Sequence, residues 1–270
     1  MEPLDILTTF DSGYAKHWPS HAMQVIVNSS KPVNLHMIVD DVNAASHMVD
    51  NVGKIAKMLK PDVEFKFFIH DISDYSGIRV NERMPDNTTK WITDAAYWRL
   101  YASEMIDADK VLYVDLDTLI RHDFASLFDI DMHGADVAMG LDFNHRDGYI
   151  EGKYCAGVQL IDLDIMRKRS RLQQMHDWSF SHKFRLHDQS IVNACLDICK
   201  LDSTWQCSQY SWWKHGAEPI DEDPNIVHFI YRWKPWKNLK VEDRTLFDEW
   251  QTYMKLYDSL SAFIESGKLG

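Results

Sequence analysis

A chain of 270 residues with 45% hydrophobic content has the material for one large core, and 41 acidic against 29 basic residues leave it with a formal charge of −12. That balance argues against a nucleic-acid partner, because no lysine or arginine cluster could neutralise a run of phosphates. No apolar run approaches the roughly 20 residues that cross a bilayer. The opening MEPLDILTTF lacks a signal-peptide pattern, and the cysteines at 155, 195, 199 and 207 lack zinc-ligand spacing, so a soluble, reducing, cytoplasmic setting is expected. Cys195 and Cys199, one helical turn apart, read as packed thiols rather than a bridge.

Short strand-like runs alternate with helical patterns. LDILTTF (4–10) reads as a strand and 17–29 as a helix; NLHMIVDD (34–41) is a second strand and HMVDNVGKIAKML (47–59) a second helix. EFKFFIHD (64–71) is a third strand, followed by an irregular stretch over 73–89, the helix TDAAYWRLYASEMI (93–106) and the strand VLYVDLD (111–117). DVAMGLD (136–142) and GVQLIDLD (157–164) read as further strands, MRKRSR (166–171) as a solvated helix face and HDQSIVNACLDIC (187–199) as a helix. In TLFDEWQTYMKLYDSL (245–260), Leu246, Trp250, Tyr253, Met254 and Tyr257 share one side of a helix that packs back on the rest. The alternation predicts an α/β fold: a mostly parallel sheet, helices on both faces, ligands beyond the carboxyl ends of the strands. One domain is expected over 1–270, with 241–270 forming a C-terminal helix packed on it.

The run VLYVDLDTLI (111–120) ends a buried strand on two carboxylates, Asp115 and Asp117. Bare carboxylates that close repel each other and resist desolvation. They can be ordinary turn aspartates. They can also belong to the D-x-D-x-T nucleophile loop of a haloacid-dehalogenase-type phosphatase. That loop needs Thr where Leu119 stands, and it normally lies on the first strand of the chain. A third reading is a divalent-metal site, in which carboxylates at i and i+2 converge on a hard cation that could hold a nucleotide-sugar diphosphate. This third reading calls for a nucleoside site on the first strand, another metal ligand and a cation for the leaving diphosphate.

Five segments supply those pieces: LTTFDSGYAKHW (7–18), AYWRLYASEMIDADKVLYVDLDTLI (96–120), YCAGVQLIDLD (154–164), HDQSIVN (187–193) and HFIYRWKPW (228–236). In this order they resemble the retaining glycosyltransferases of family eight, the group of lipopolysaccharide galactosyl- and glucosyltransferases and glycogenin. The resemblance covers nearly the whole chain and implies a GT-A fold, a UDP-sugar donor and Mn²⁺ or Mg²⁺. It assigns Asp115, Asp117 and His228 to the metal, Asp115 also lying near the ribose, and Lys234 to the donor diphosphate. Arg99 would orient the aspartates and the donor sugar, its plain alternative being a buried ion pair. Thr9 and Asp11 would hold nucleobase and ribose, although Asp-Ser-Gly is also a good turn. Asp188 and Gln189 would sit at the anomeric carbon, while HDQS alone reads as a helix start.

Two positions depart from the family pattern. In YCAGV, where Cys155 and Ala156 are expected beside the donor sugar, Cys155 replaces the usual Asn. In HFIYRWKPW, Tyr231 replaces the Gly whose backbone approaches the diphosphate. Because tyrosine is not expected to take glycine's dihedrals, its hydroxyl or Arg232 is expected to replace that amide contact. The resemblance thus implies a metal-dependent retaining hexosyltransferase that moves galactose or glucose from UDP to an acceptor hydroxyl on a glycan. The alternative is a non-catalytic descendant that binds nucleotide or glycan. The acceptor is expected to meet variable loops at 142–153 and 205–225. The acidic, amphipathic C-terminal end does not indicate membrane association.

Overall fold

A computed structural model describes residues 2–75, 93–142, 153–182, 184, 186–208, 223–237 and 244–267. β1 (Leu4–Phe10), α1 (Trp18–Asn28), β2 (Val33–Val39), α2 (Val42–Leu59) and β3 (Phe65–Asp71) follow one another as the sequence pattern predicts. β1 and β2 are buried almost throughout because both their faces are covered, as in parallel sheets. On one face Trp18, Met23, Ile26, Val52 and Ile55 of the two helices pack on Leu4, Ile6, Leu35 and Met37. The opposite face buries Leu7, Ile38, Tyr97, Leu100, Tyr113 and Ile191. Asp41 starts α2 by accepting from the Ala44 amide at 2.9 Å.

The central sheet has seven strands in the order β3-β2-β1-β4-β7-β6-β8, with β4 Lys110–Val114, β6 Val137–Leu141, β7 Tyr154–Asp162 and β8 Ile198–Lys200. β7 alone runs antiparallel to its neighbours, β4 and β6. The expected α/β architecture with a mostly parallel sheet and helices on both faces is therefore present. A second sheet joins β5 (Thr118–Ile120), β10 (Ile226–His228) and β9 (Cys207–Ser208) in the order β5-β10-β9.

Several boundaries differ from expectation. The helix over 93–106 is three short pieces, α3 (Ala95–Trp98), a 3₁₀ turn (Arg99–Tyr101) and α4 (Ala102–Met105). Its tight central turn lets the Arg99 side chain fold back on the Ala96 carbonyl at 2.9 Å. The strand expected over 157–164 begins at Tyr154 and ends at Asp162, which accepts from the Ile165 amide to start α5 (Leu163–Lys168). α6 (Arg171–Ser181) precedes α7 (Asp188–Cys195), and the last residues of the helix expected over 187–199 leave as β8. Cys195 and Cys199 therefore lie on different elements, both as free thiols. The basic run MRKRSR is a solvated face only in part, since Lys168, Arg169 and Ser170 are exposed while the other three residues are covered. Arg167 donates to the carbonyls of Ser103, Ile106 and Ala108, while Arg169 and Arg171 reach Asp136. The irregular stretch after 75 and most of the two expected acceptor loops lie outside the described residues.

The last helix, α8 (Thr245–Glu265), buries Leu246, Phe247 and Trp250, with Tyr253, Met254 and Tyr257 partly covered. It is joined to α1 and β5 through Asn28, whose Nδ2 reaches the Tyr253 hydroxyl at 3.1 Å and the Ile120 carbonyl at 2.9 Å. Gln24 accepts from the Ile120 amide at 2.8 Å.

Asp136 is fully buried. It lies 3.0 Å from Arg169 and 2.7 Å from Arg171, and it accepts from the Asp197 amide at 2.7 Å. Removing it takes the buried acceptor from the Asp197 amide and leaves Arg169 and Arg171 with only the exposed Asp197 carboxylate as their shared anion. Asp136→Ala is expected to cost roughly 3 kcal/mol, read as a lowered urea midpoint with an unchanged slope. A loss under about 1 kcal/mol would contradict this account of the β6–β8 end of the sheet.

Candidate active site

The site forms where β1 and β4 end side by side, in parallel register through Ile6↔Leu112 and Leu7↔Tyr113. β4 stops at Val114, and Asp115, Leu116 and Asp117 form the link from the large sheet into β5 of the small one. Leu116 is 6% exposed and joins the core, and the turn around it brings both aspartates to the wall of the cleft. Backbone bonds fix the link: the Asp115 amide donates to the Gly157 carbonyl, and the Asp117 carbonyl accepts from Phe229, each at 2.9 Å. Leu119, where a phosphatase loop would need Thr, is fully buried in the small sheet.

His228 arrives on β10, paired antiparallel with β5 so that it lies opposite Thr118. Its Nε2 is 3.3 Å from Asp117 and 3.6 Å from Asp115, and one ligand atom from each of the three residues falls within 4.8 Å of the others. Lys234 also pairs with Asp117 and donates to the Phe229 carbonyl at 3.2 Å. Burial works against the Asp117 charge, but Lys234 and His228 outweigh it and hold the carboxyl below its ordinary range. Burial likewise opposes charge on His228, where Asp117 and Cys155 win and raise the imidazole well above its usual value.

Arg99 connects this corner to a third carboxylate. Its guanidinium lies 3.3 Å from Asp115 and 3.1 Å from Asp188, donates to the Ala156 carbonyl, and sits 4.2 Å above the Tyr113 ring. The ion-pair reading of Arg99 is therefore realised, and the pair lies in the wall of the adjoining cleft. Burial pushes the Asp188 carboxyl up to about 6, with Arg99 pulling it down and Asp115 adding to the rise. Asp188 and Gln189 open α7, and Gln189 is held from both sides. Its Oε1 accepts from the Ala156 amide and its Nε2 donates to Asp142, both at 3.1 Å.

The cleft enclosed by these elements has a volume of about 320 Å³. Every candidate residue except Asp11 and Arg232 lines it: Thr9, Arg99, Asp115, Asp117, Cys155, Ala156, Asp188, Gln189, His228, Tyr231 and Lys234; the Arg232 guanidinium lies instead 4.9 Å over the Trp233 ring. Asp11 accepts from the Tyr14 amide at 3.1 Å, as the turn reading has it. Thr9 donates to the Ala95 carbonyl at 2.8 Å and lies 3.3 Å from the Tyr113 hydroxyl, which itself donates to Asp115.

Sequence reasoning missed Tyr113, which sits inside an apolar strand as a polar anchor for Asp115, and Asp142, which fixes Gln189. It also missed the role of Gly157. A Cβ there would lie 2.2 Å from His228 Cε1, so the imidazole rests on bare backbone. A glycine inside a strand marks such a close approach, and that was the available signal. Cys155, expected beside the donor sugar, places its sulfur 3.5 Å from His228 Nδ1 while lining the cleft. Tyr231 corrects a premise: its φ of +58° is the left-handed conformation that glycine would adopt, and the side chain is 49% exposed. The main chain thus keeps the path of a glycine despite the substitution.

Strand order and site together define a GT-A glycosyltransferase. Solved structures with this fold include galactosyltransferase LgtC in complex with donor and acceptor sugar analogs, at a TM-score of 0.72 and 22% identity over 95% of this chain and 96% of that one. Glycosyltransferase GlyE of Streptococcus pneumoniae TIGR4 matches at a TM-score of 0.72 and 18% identity, covering 99% of this chain and 65% of that one. Residues 5–240 match the model of Glycosyl transferase family 8, and the chain belongs to that family. General stress protein A of Bacillus subtilis is 26% identical over 94% of this chain and 95% of its own length. Glycosyltransferase GlyF of Streptococcus pneumoniae is 28% identical over 65% of this chain, and the match spans 45% of GlyF.

The left-handed conformation costs a non-glycine residue about 1–2 kcal/mol, part of which a glycine gives back through its freer unfolded chain. Tyr231→Gly is expected to raise stability by about 0.5–1 kcal/mol in thermal unfolding, whereas Tyr231→Ala, equally strained, gains nothing. Equal behaviour of the two variants would contradict the strain assigned to this residue.

Proposed function

We propose that the protein is a metal-dependent retaining hexosyltransferase that moves galactose or glucose from a UDP-sugar to an acceptor hydroxyl on a glycan. The observation that carries this reading is the convergence of Asp115, Asp117 and His228 at one end of the cleft in a family 8 chain. The donor set fits Mn²⁺ or Mg²⁺: two carboxylates suit a hard cation, and one imidazole tilts the choice to Mn²⁺. Such a cation, when bound, supplies charge that holds and neutralises the donor diphosphate.

The remaining residues take roles from their positions. Lys234, already paired with Asp117, offers a point charge to the departing UDP, and the Tyr231 amide, in glycine's conformation, stands toward the same phosphates. Thr9 lies on the nucleoside side, and Asp11 in its turn is the adjoining candidate for the base. Gln189 is immobilised beneath the sugar by its bonds to Ala156 and Asp142, and Asp188 binds donor-sugar or acceptor hydroxyls. Arg99 fixes Asp115 and Asp188 relative to each other. Retention then follows from attack on the face that the phosphate leaves, with that phosphate drawing the acceptor proton while the protein positions the partners and stabilises charge.

Hydrolysis and binding of UDP-galactose and UDP-glucose, with Mn²⁺ and with chelator, test the reading. Asp117→Ala is expected to abolish Mn²⁺-dependent UDP binding and leave the fold intact; full turnover by this variant in chelator would overturn metal dependence. Asp188→Asn is expected to lower turnover by about tenfold or more with little change in UDP affinity, the pattern of a contact made mainly in the transition state. An equal loss of UDP binding would instead place Asp188 on the nucleotide.

A further inference from the structure

We infer that Cys155 is a positioning residue for His228, holding the imidazole so that Nε2 faces the two carboxylates as a metal ligand. The inference rests on the metal reading above. It starts from β7, which presents residues 155 and 157 on one face, two positions apart. At 157 the strand offers only backbone: a Cβ would fall 2.2 Å from Cε1 and 2.3 Å from Nδ1 of His228, so the ring lies flat in that slot. At one end of the slot the Cys155 sulfur stands 3.5 Å from Nδ1. At the other, Nε2 stands 3.3 Å from Asp117 and 3.6 Å from Asp115.

Only this ring orientation gives both nitrogens a partner. Turning the imidazole over exchanges each nitrogen with a carbon, so the sulfur and the carboxylates would then both meet C–H. The proton placement follows from the same geometry. A metal ligand must offer a lone pair on Nε2, so the hydrogen resides on Nδ1 and is donated to sulfur. Metal-bound histidines ordinarily pass that second N–H to a carboxylate, a carbonyl or water; here a buried free thiol takes the part. The replacement of the usual Asn therefore keeps an acceptor at the position but exchanges an amide oxygen for a softer, weaker one.

Mn²⁺ binding by the nucleotide-free full chain tests the assignment, measured by calorimetry for the wild type, Cys155→Ala, Cys155→Val and Cys155→Asn. Losing the acceptor is expected to weaken Mn²⁺ roughly tenfold in the Ala and Val variants, with the unfolding temperature little changed. Asn, which restores an acceptor oxygen, is expected to return the affinity to near the wild-type value. Nitrogen NMR with Mg²⁺ bound should show His228 protonated on Nδ1 in the wild type and not held in that tautomer in Cys155→Val, a signature that a purely structural cysteine would not move. Wild-type affinity in Cys155→Val, or an unchanged tautomer, overturns the positioning role while leaving the metal site standing. Absence of Mn²⁺ binding by the wild-type chain overturns the metal reading and this inference together.

Discussion

Two carboxylates separated by a single residue, Asp115 and Asp117, set the terms for everything around them. With ligand atoms within 4.8 Å of each other and an effective dielectric near 20, their repulsion is on the order of 3 kcal/mol before desolvation is counted. The protein meets that cost with cations brought from separate parts of the chain. Arg99 comes from the broken helix before β4, and Lys234 and His228 come from the segment beginning at β10. Each brings its own support: the Ala156 and Ala96 carbonyls for Arg99, the Phe229 carbonyl for Lys234, the Gly157 slot for His228. Structural ion pairing and ligand readiness are here the same arrangement. Groups that balance the aspartates in the folded protein also line the cleft beside them.

The legibility of the fold followed the length of its elements. β1, β2 and β3 stood out within a residue or two because each is a short run rich in apolar and β-branched residues between turn residues, even though β3 is a partly exposed edge strand. α2 and α8 showed the helical period over several turns. β5, β9 and β10, of two or three residues each, are too short to carry any period, so the small sheet was invisible even though the D-x-D and His228 both adjoin it. The basic run at 166–171 misled in part because charge in sequence looks solvated. Nothing in the letters shows that three backbone carbonyls wait for Arg167 or that a fully buried Asp136 waits for Arg169 and Arg171.

The candidate site was legible by residue type in the aspartate pair, and in His228 and the Asp188-Gln189 pair only through the family resemblance, since HDQS alone reads as a helix start. It was opaque where a residue acts through shape. Gly157 matters because of what lies on it, Tyr113 because its hydroxyl ends beside Asp115, and Tyr231 because its main chain takes a conformation that its side chain disfavours. These are relations between distant segments, and no local pattern contains them.

The division of the metal-capable triad between two sheets has an entropic side. Asp115 leaves the large sheet, whereas His228 belongs to a small sheet joined to α1 and α8 by Gln24, Asn28 and Tyr253. The contacts that close the triad span more than a hundred residues, so closing it carries a substantial loop-closure entropy. The large sheet alone therefore leaves the triad open, because His228 is brought to the aspartates by the strand that pairs with β5 in the small sheet.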